Sequence, residues 1–330
     1  MAKIPEHLRG KFIIPGLVDK LISQGKVRDI YQGRDESELL LVSTDRASIF
    51  DFNLDGTVPG KGFELTRITH HMLTHVLGVP NHLIPSKTDP SKNGASDLNG
   101  MGVPVERSLL VKKAKVLPFE LIFRHHLGGS VYKKYLETGL VAGVKLKPGI
   151  PKWGMLDEPL FTPSTKAPDG HDINITQDEY FAATGEAGRW GFELMLLAYQ
   201  RAYAYARSRG FLILDTKGEA GMTIDNKMVL VDELFTPDSS RWVKEEEWKR
   251  AMELKRDPEF YDKEKIREWG RTVETPFQDG KTGQFIIGIN NLDPQNDEHV
   301  AFVHKLTVPE EVLLSVASRC HEIGEAMLAI

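Results

Sequence analysis

Short apolar runs followed at once by acidic residues are the most informative pattern in this chain. The runs at residues 211–214 and 228–231 are bounded by polar and glycine-rich segments, as is typical of short buried strands. Each run therefore predicts a strand that delivers acids at its last residue. Residues 221–226 predict a loop between two antiparallel strands, which would bring Glu219 close to Asp232.

Strand patterns dominate the first third of the chain, and helical spacing dominates the part after Ser130. This change predicts an α+β protein with an antiparallel N-terminal lobe, residues 1–117, and a larger C-terminal lobe, residues 118–330. Leu117 and the proline after it form the predicted hinge. The remaining strands are predicted over residues 39–42, 107–116 and 119–123. The remaining helices are predicted over residues 63–77, 190–209, 245–255 and 263–272. A capping box at Thr176 and Glu179 predicts the start of another helix, and a last helix is opened at Thr307.

Composition excludes several classes of protein. The 330 residues are 41% hydrophobic and 27% charged, which is enough for a large core. A formal net charge of -5 without a long basic run argues against nucleic acid as a partner. The single cysteine excludes an internal disulfide. No apolar run approaches the roughly 20 residues of a membrane span, and the start lacks the apolar core of a signal peptide, so we expect a cytoplasmic protein.

The acids after the two predicted strands suit a magnesium–nucleotide site. Magnesium keeps several waters and takes one or two carboxylates together with substrate phosphates. Asp215, Glu219 and Asp232 offer hard anionic ligands, and Lys217 adds a point charge for phosphate. An equally good interpretation of these residues alone is a solvated hairpin with ordinary surface acids.

Three further segments carry groups that bind anions. Arg124 precedes a Gly-Gly-Ser turn that ends at Ser130, where a helix is predicted to begin, and helix N-termini bind phosphate. Arg241 follows the polar turn 236–240 and is suited to bidentate recognition of phosphate or carboxylate. The turn at residues 25–28 could cover nucleotide phosphates, although these residues alone favour an ordinary hairpin.

Several of these segments together resemble one enzyme family. LILDTKGEAG and LVDELFTPDSSRW are similar to the signature of the SAICAR synthetases, the phosphoribosylaminoimidazole-succinocarboxamide synthases of purine biosynthesis. Further resemblances follow in the expected order over about residues 25–272 and in the final helix. They are GKVRDIY at 25–31, TDRASIFD at 44–51, PGKG at 59–62, FTPSTKA at 161–167, HDINI at 171–175, YDKEKIREW at 261–269 and PEEV at 309–312.

The resemblance implies a two-lobed, kinase-like fold with ATP in the cleft between the lobes. It also implies an ATP-dependent ligase of de novo purine (IMP) biosynthesis that joins L-aspartate to 5-amino-1-(5-phospho-D-ribosyl)imidazole-4-carboxylate (CAIR). The products would be SAICAR, ADP and phosphate, formed through a carbonyl-phosphate intermediate. ATP and Mg²⁺ are the implied cofactors, and CAIR and L-aspartate are the implied small-molecule partners.

Carried over residue by residue, the resemblance implies three kinds of site residue. The catalytic pair would be Lys217 and Asp215. The ATP-binding residues would be Gly25, Lys26, Val27, Arg28, Lys115, Leu117, Glu219 and Asp232, of which Glu219 and Asp232 would also hold the metal. The substrate-binding residues would be Asp45, Arg46, Ser48, Lys61, Arg124, Ser130, Lys166 and Arg241.

Two departures from the family pattern affect these expectations. His125 and His126 stand where the pattern has Gly and Tyr, which leaves the local turn open, and Glu264 replaces a Gln and is left out of the site. His71 and His75 have the spacing of a metal-binding pair, but without a third ligand a surface or partly packed histidine pair is favoured. Residues 274–306 match no family pattern, and the sequence leaves the oligomeric state open.

Two other functions compete with the ligase. A kinase-like small-molecule phosphotransferase would share the broad fold, but the sequence contains neither an HRD nor a DFG motif. A noncatalytic nucleotide sensor would need no second anion site, whereas Arg124, Ser130 and Arg241 predict one. Phosphate release from ATP that depends on both CAIR and aspartate distinguishes all three.

Overall fold

The structure, a computed structural model, describes residues 20–166 and 172–329 and has a mixed α+β fold. The strands are β1 (Leu21–Gln24), β2 (Arg28–Gln32), β3 (Glu38–Ser43), β4 (Arg46–Ile49), β5 (Phe52–Thr57), β6 (Ser108–Lys112), β7 (Ala114–Val116), β8 (Phe119–Leu127), β9 (Leu140–Val141), β10 (Val144–Lys145), β11 (Gly154–Phe161), β12 (Ser164–Thr165), β13 (Phe211–Thr223), β14 (Met228–Val231), β15 (Ser240–Lys244), β16 (Glu274–Gln278) and β17 (Phe285–Ile287). The α-helices are α1 (Lys61–His71), α2 (Ser130–Thr138), α3 (Gln177–Ser208), α4 (Glu245–Glu253), α5 (Glu264–Thr272), α6 (Asp297–Val303) and α7 (Glu310–Leu328). None of the helices in the described residues is long and apolar enough to cross a membrane.

The chain divides into two compact units, and each unit is discontinuous in sequence. The first contains the described residues up to Arg67 together with Ile84–Val111 and Asp262–Gly324. The second contains Ile68–Leu83, Lys112–Tyr261 and the described residues from Glu325. The predicted lobe boundary at residue 117 stays a prediction.

The first unit is built on a four-stranded antiparallel sheet with the order β1-β2-β3-β6. Successive side chains of a strand point to opposite faces of the sheet, and on the buried face Tyr31 of β2 packs with Leu40 and Val42 of β3. A second core lies between the β4–β5 hairpin and helices α5, α6 and α7, with Ile49 and Val316 among its buried residues. The segment that matched no family pattern, residues 274–306, contributes β16, β17 and α6 to this unit.

The second unit is organised around β13, the thirteen-residue strand at the centre of a seven-stranded sheet. Strands β7, β8, β14 and β15 all pair with β13, and every one of these pairings is antiparallel. Helix α3 packs closely on one face of this sheet because small residues meet there. A Cβ added at Gly191 of α3 would lie 3.2 Å from the Cβ of Ala220.

Helix α3 spans both the helix predicted to begin at the capping box and the helix predicted over residues 190–209. Thr176 and Glu179 form the predicted capping box, with the hydroxyl and the carboxylate each bonded to the other residue's backbone N–H. The helix stops at Ser208, just before Gly210, which has a φ of 79° that few other residues adopt. The two predicted helices are continuous in the structure except for a kink at Gly185, whose φ of 60° is not helical.

The prediction that the acids of residues 215–219 follow a short strand is wrong. Strand β13 continues through Asp215 and Glu219, because polar residues on one face alternate with small or apolar residues on the other. Arg124 likewise lies inside β8 rather than at its end. The predicted antiparallel hairpin is confirmed, since Glu219 pairs with Val231, the residue before Asp232.

Candidate active site

One face of the central sheet in the second unit carries a row of charged side chains. Asp215, Lys217 and Glu219 alternate along β13, so their side chains share a face. The register places Arg124 of β8 opposite Asp215 on one side and Arg241 of β15 opposite Asp215 on the other. Since helix α3 packs on the other face, the fold concentrates these charges on the side of the sheet opposite α3.

Asp215 joins the two arginines at one end of this row. Its Oδ2 accepts hydrogen bonds from Nη1 of Arg124 at 2.9 Å and Nη1 of Arg241 at 2.6 Å. Arg124 is buried, and its Nε donates to the hydroxyl of Thr162 at 2.8 Å. Burial lowers the pKa of Arg124, and the charge of Asp215 opposes this shift. The carboxylate therefore fixes two guanidinium groups side by side.

The start of α2 lies beside the arginines. Nη1 of Arg124 reaches the carbonyl of Gly128 at 3.5 Å. A Cβ at Gly129 would lie 3.4–3.6 Å from three atoms of the Arg241 guanidinium, and the φ of Gly129 is 65°. Ser130, exposed, is the first residue of the helix. Two arginines and a helix N-terminus thus meet at one turn, a combination that suits a phosphate group.

Glu219 and Asp232 form an acidic pair further along β13. Glu219 is mostly buried, and Asp232 follows β14 directly with a φ of 66°. Burial and the nearby charge of Asp232 raise the pKa of Glu219, while Lys166 opposes the rise. Nζ of Lys166 lies 2.5 Å from Oε1 of Glu219. Two neighbouring carboxylates that are costly to ionise together favour a bound cation.

These two carboxylates fit the needs of magnesium rather than those of a closed metal site. Within residues 20–166 and 172–329, no group of three or more histidine, cysteine or acidic side chains is placed to hold a metal. Magnesium bound with substrate phosphates needs only one or two carboxylates. The predicted histidine pair packs as expected: the rings of His71 and His75 lie 5.3 Å apart, and Nε2 of His71 bonds to the hydroxyl of Tyr205.

Lys217 lies between the arginines and the acidic pair. Its Nζ contacts Oε1 of Glu120, a buried residue of β8, at 2.7 Å. Burial opposes the charge of Lys217, but Glu120, together with Glu219 and Asp172, raises the pKa of the amine above its ordinary value. The side chain is therefore a half-exposed, permanently charged ammonium group, which can bind phosphate but cannot act as a base at neutral pH.

The predicted nucleotide turn belongs to the first unit. The turn between β1 and β2 closes through the N–H of Gly25, which donates to the carbonyl of Arg28 at 2.7 Å. Arg46 is buried and donates to the Gly25 carbonyl at 2.7 Å and to Oδ1 of Asp29 at 2.6 Å. Lys26 pairs with Asp51. Arg46 thus braces the turn from within the unit.

The other predicted substrate residues of the first unit also make internal contacts. Oδ1 of Asp45 accepts from the N–H of Gly62 at 2.8 Å, at the start of α1. Nζ of Lys61 is buried and donates to the carbonyl of Arg46 at 2.6 Å. Ser48 is buried in β4. Their substrate roles stay predictions.

Lys115 and Leu117 lie at the β7 edge of the second unit. Lys115 is exposed, and the N–H of Leu117 donates to the carbonyl of Ala220 at 2.9 Å. Parts of two predicted motifs, residues 167–171, lie outside the described residues, as do the first 19 residues.

Sequence comparison decides the family. The SAICAR synthetase family profile matches residues 21–283. The chain belongs to the SAICAR synthetase family. Among its relatives, a phosphoribosylaminoimidazole-succinocarboxamide synthase of Syntrophobacter fumaroxidans is 43% identical over 258 residues, which cover 77% of this chain and 82% of the relative.

Solved SAICAR synthases share the fold. The SAICAR synthase of Saccharomyces cerevisiae complexed with SAICAR aligns with a TM-score of 0.74 and 29% identity, covering 96% of this chain and 97% of that chain. A type-2 SAICAR synthetase in complex with ADP aligns with a TM-score of 0.55 and 20% identity, covering 74% and 89%, and this likeness shows the fold alone. The alignment with the yeast enzyme extends the likeness beyond the residues matched by the family profile.

The two departures from the SAICAR synthetase pattern are accommodated by packing. His125 and His126 lie within β8, and His126 is fully buried. Burial lowers the pKa of His126 to about 4, so the ring is neutral at pH 7. The turn itself begins at Gly128. Glu264 starts α5 and forms ion pairs with Arg267 and Arg271 of the same helix.

Sequence reasoning missed several residues that shape the SAICAR synthetase site. Glu120 and Arg124 lie four apart in one strand, so the period of two could have placed Glu120 on the same face. Asp29, which pairs with Arg46, was visible only as part of the GKVRDIY motif. Thr162 was likewise visible only as part of the FTPSTKA motif, and Trp153 had no signal, because its partners are distant in the sequence.

Proposed function

We propose that this protein is the ATP-dependent ligase that joins L-aspartate to CAIR, giving SAICAR, ADP and phosphate. The observation that carries the proposal is the placement of an anion-binding group and an acidic, cation-binding pair along one face of β13. Asp215, with its two arginines, and Glu219, with Asp232, are four residues apart, which is about 13 Å along an extended strand. A reaction that brings a sugar phosphate and a magnesium-bound nucleoside triphosphate together needs cations for the first and carboxylates that hold the metal for the second.

In this proposal, Arg124, Arg241 and Ser130 hold the phosphoribosyl end of CAIR. Asp215 keeps both guanidinium groups oriented, so these side chains lose little conformational freedom when substrate binds. The remaining predicted residues keep their assignments. Gly25, Lys26, Val27, Arg28, Lys115 and Leu117 are assigned to ATP, and Asp45, Arg46, Ser48, Lys61 and Lys166 are assigned to the substrates.

The chemistry follows from the weakness of a carboxylate as an acyl donor. A CAIR carboxylate oxygen attacks the γ-phosphorus of ATP, the bond to the β-phosphate oxygen breaks, and ADP leaves. The aspartate amine then attacks the carbonyl carbon, inorganic phosphate departs, and the new amide nitrogen loses its proton. Lys217, which is charged throughout, stabilises the negative charge that moves through both steps.

Mg²⁺ would neutralise phosphoryl charge and be held by Glu219 and Asp232. Its donors from the chain would be the two carboxylates described above, a number that suits a magnesium ion bound together with substrate phosphates. The raised pKa of Glu219 is consistent with this role, because the second negative charge is costly without a cation.

The test measures phosphate release from ATP with and without CAIR and L-aspartate. Release that requires both, with SAICAR formed in equal amount, supports the ligase. ADP formation with CAIR alone and without release of inorganic phosphate would indicate a phosphotransferase, and nucleotide binding without turnover would indicate a sensor.

A variant tests the substrate side of the site. Arg241→Ala should weaken CAIR binding about tenfold to a hundredfold, since one charge-assisted contact is worth about 1.5–3 kcal/mol, and leave ATP binding unchanged. Arg256→Ala is the matched control, because Arg256 forms an exposed pair with Glu247. Equal losses for both ligands, or loss of ATP binding alone, would move Arg241 to the nucleotide.

A further inference from the structure

Trp153, which no sequence motif marks, is held in an unusual conformation beside the phosphate-binding turn. Its φ is 62°, a left-handed conformation that bulky residues rarely adopt, and its side chain is buried. The backbone N–H donates to the carbonyl of Leu127 at 2.7 Å, and the indole Nε1 donates to Oδ1 of Asp257 at 3.1 Å. The indole of Trp248 donates to the Trp153 carbonyl at 2.9 Å. These three hydrogen bonds therefore fix the backbone of Trp153 and the orientation of its indole ring.

The indole ring supports two parts of the candidate phosphate site at once. A Cβ added at Gly128 would lie 2.1 Å from Cε3 of Trp153, so the ring fills the place of a side chain at position 128. Cζ of Arg241 lies 5.6 Å from the centroid of the same Trp153 ring, within the range of a cation–π contact. The turn that starts α2 and the guanidinium beside it thus rest against one side chain.

His126, which departs from the family pattern, bonds to Trp153 from within β8. Its Nδ1 lies 3.2 Å from the Trp153 carbonyl, and its Nε2 lies 3.1 Å from the hydroxyl of Tyr203. A carbonyl oxygen can only accept, so Nδ1 carries the proton, and in the neutral ring Nε2 accepts from the tyrosine. His126 therefore donates a hydrogen bond to Trp153, the residue that supports Arg241.

We infer that Trp153 is a positioning residue that orients Arg241 toward the phosphate of CAIR, and that His126 holds Trp153 in place for this purpose. The inference rests on the proposed function, because it assigns the phosphoribosyl end of CAIR to Arg241. It adds a specificity determinant: the ring restricts the guanidinium to the mouth of the Gly128–Ser130 turn. Without the ring, the guanidinium keeps its bond to Asp215 but gains freedom to turn away from the turn.

The experiment measures CAIR and ATP affinities separately by calorimetry. Trp153→Phe keeps an aromatic ring but shortens it, and Gly128→Ala displaces the indole without changing it. Each should weaken CAIR binding about fivefold to tenfold, the range of a lost cation–π contact, and leave ATP binding within twofold. Trp190→Phe, in an exposed position on α3, is the control and should change neither affinity.

A double-mutant cycle tests whether Trp153 acts through Arg241. In the Arg241→Ala background, Trp153→Phe should change CAIR affinity less than twofold, because the group it positions is gone. Fully additive losses, equal weakening of CAIR and ATP, or wild-type CAIR affinity in both Trp153→Phe and Gly128→Ala would overturn the inference. Normal CAIR binding by Arg241→Ala alone would instead overturn the proposed substrate assignment, so the two failures are distinguishable.

Discussion

Asp215→Asn removes the negative charge that two arginines share while keeping the size of the side chain. Oδ2 of Asp215 accepts from both Arg124 and Arg241, and both Asp215 and Arg124 are buried. An asparagine can still accept one of these bonds through its amide oxygen. It cannot offset the mutual repulsion of two guanidinium groups that now face one another without an anion.

The expected loss of stability is about 3–5 kcal/mol, the usual cost of removing one partner from a buried ion pair. Hydrogen bonds to charged groups, at about 1.5–3 kcal/mol each, give a similar range if one of the two is lost and the other weakened. Against a total stability of about 5–15 kcal/mol, the variant should still fold but with a much lower urea midpoint.

The assay compares urea unfolding of wild type and variant with and without inorganic phosphate. Phosphate should stabilise Asp215→Asn more than wild type, because it replaces the missing anion between the arginines. At a hundred times its Kd, a ligand adds about 2.7 kcal/mol. Asp157→Asn is the matched control and should leave stability nearly unchanged, since Asp157 pairs with Lys147 on the surface. A loss below about 1 kcal/mol, or equal phosphate effects on both proteins, would refute the reasoning.

Two further predictions concern the acidic pair and the buried histidine. Glu219→Gln and Asp232→Asn should each lower kcat severely while leaving the fold intact; near-normal turnover at saturating Mg²⁺ would contradict the metal assignment. Burial lowers the pKa of His126 to about 4, against about 6.5 when unfolded, so the unfolded chain binds more protons between these values and stability is lost as pH falls through this window. The loss should reach about 3 kcal/mol near pH 4 and be absent from His126→Gln; urea unfolding at pH 4.5 and 7 measures it, and equal pH dependence in both proteins would contradict it.

The sequence alone determined the features that depend on near neighbours. The capping box of Thr176 and Glu179 and the stop before Gly210 were predictable because capping and positive φ are local effects. The hairpin that brings Glu219 near Asp232 was predictable for the same reason, since a short loop joins its two strands. The order of the family motifs identified the reaction.

The tertiary structure decided which distant residues act together. Arg124 and Asp215 are 91 positions apart, and only the pairing of β8 with β13 makes them an ion pair. The length of β13 was also hidden, because three neighbouring strands, β8, β14 and β15, supply the pairing that keeps residues 215–219 extended. Trp153 gave no local signal, since its conformation is imposed by groups from β8, α4 and the loop at Asp257. Strand pairing and side-chain packing across the chain, rather than local preference, created the arrangement around Arg241.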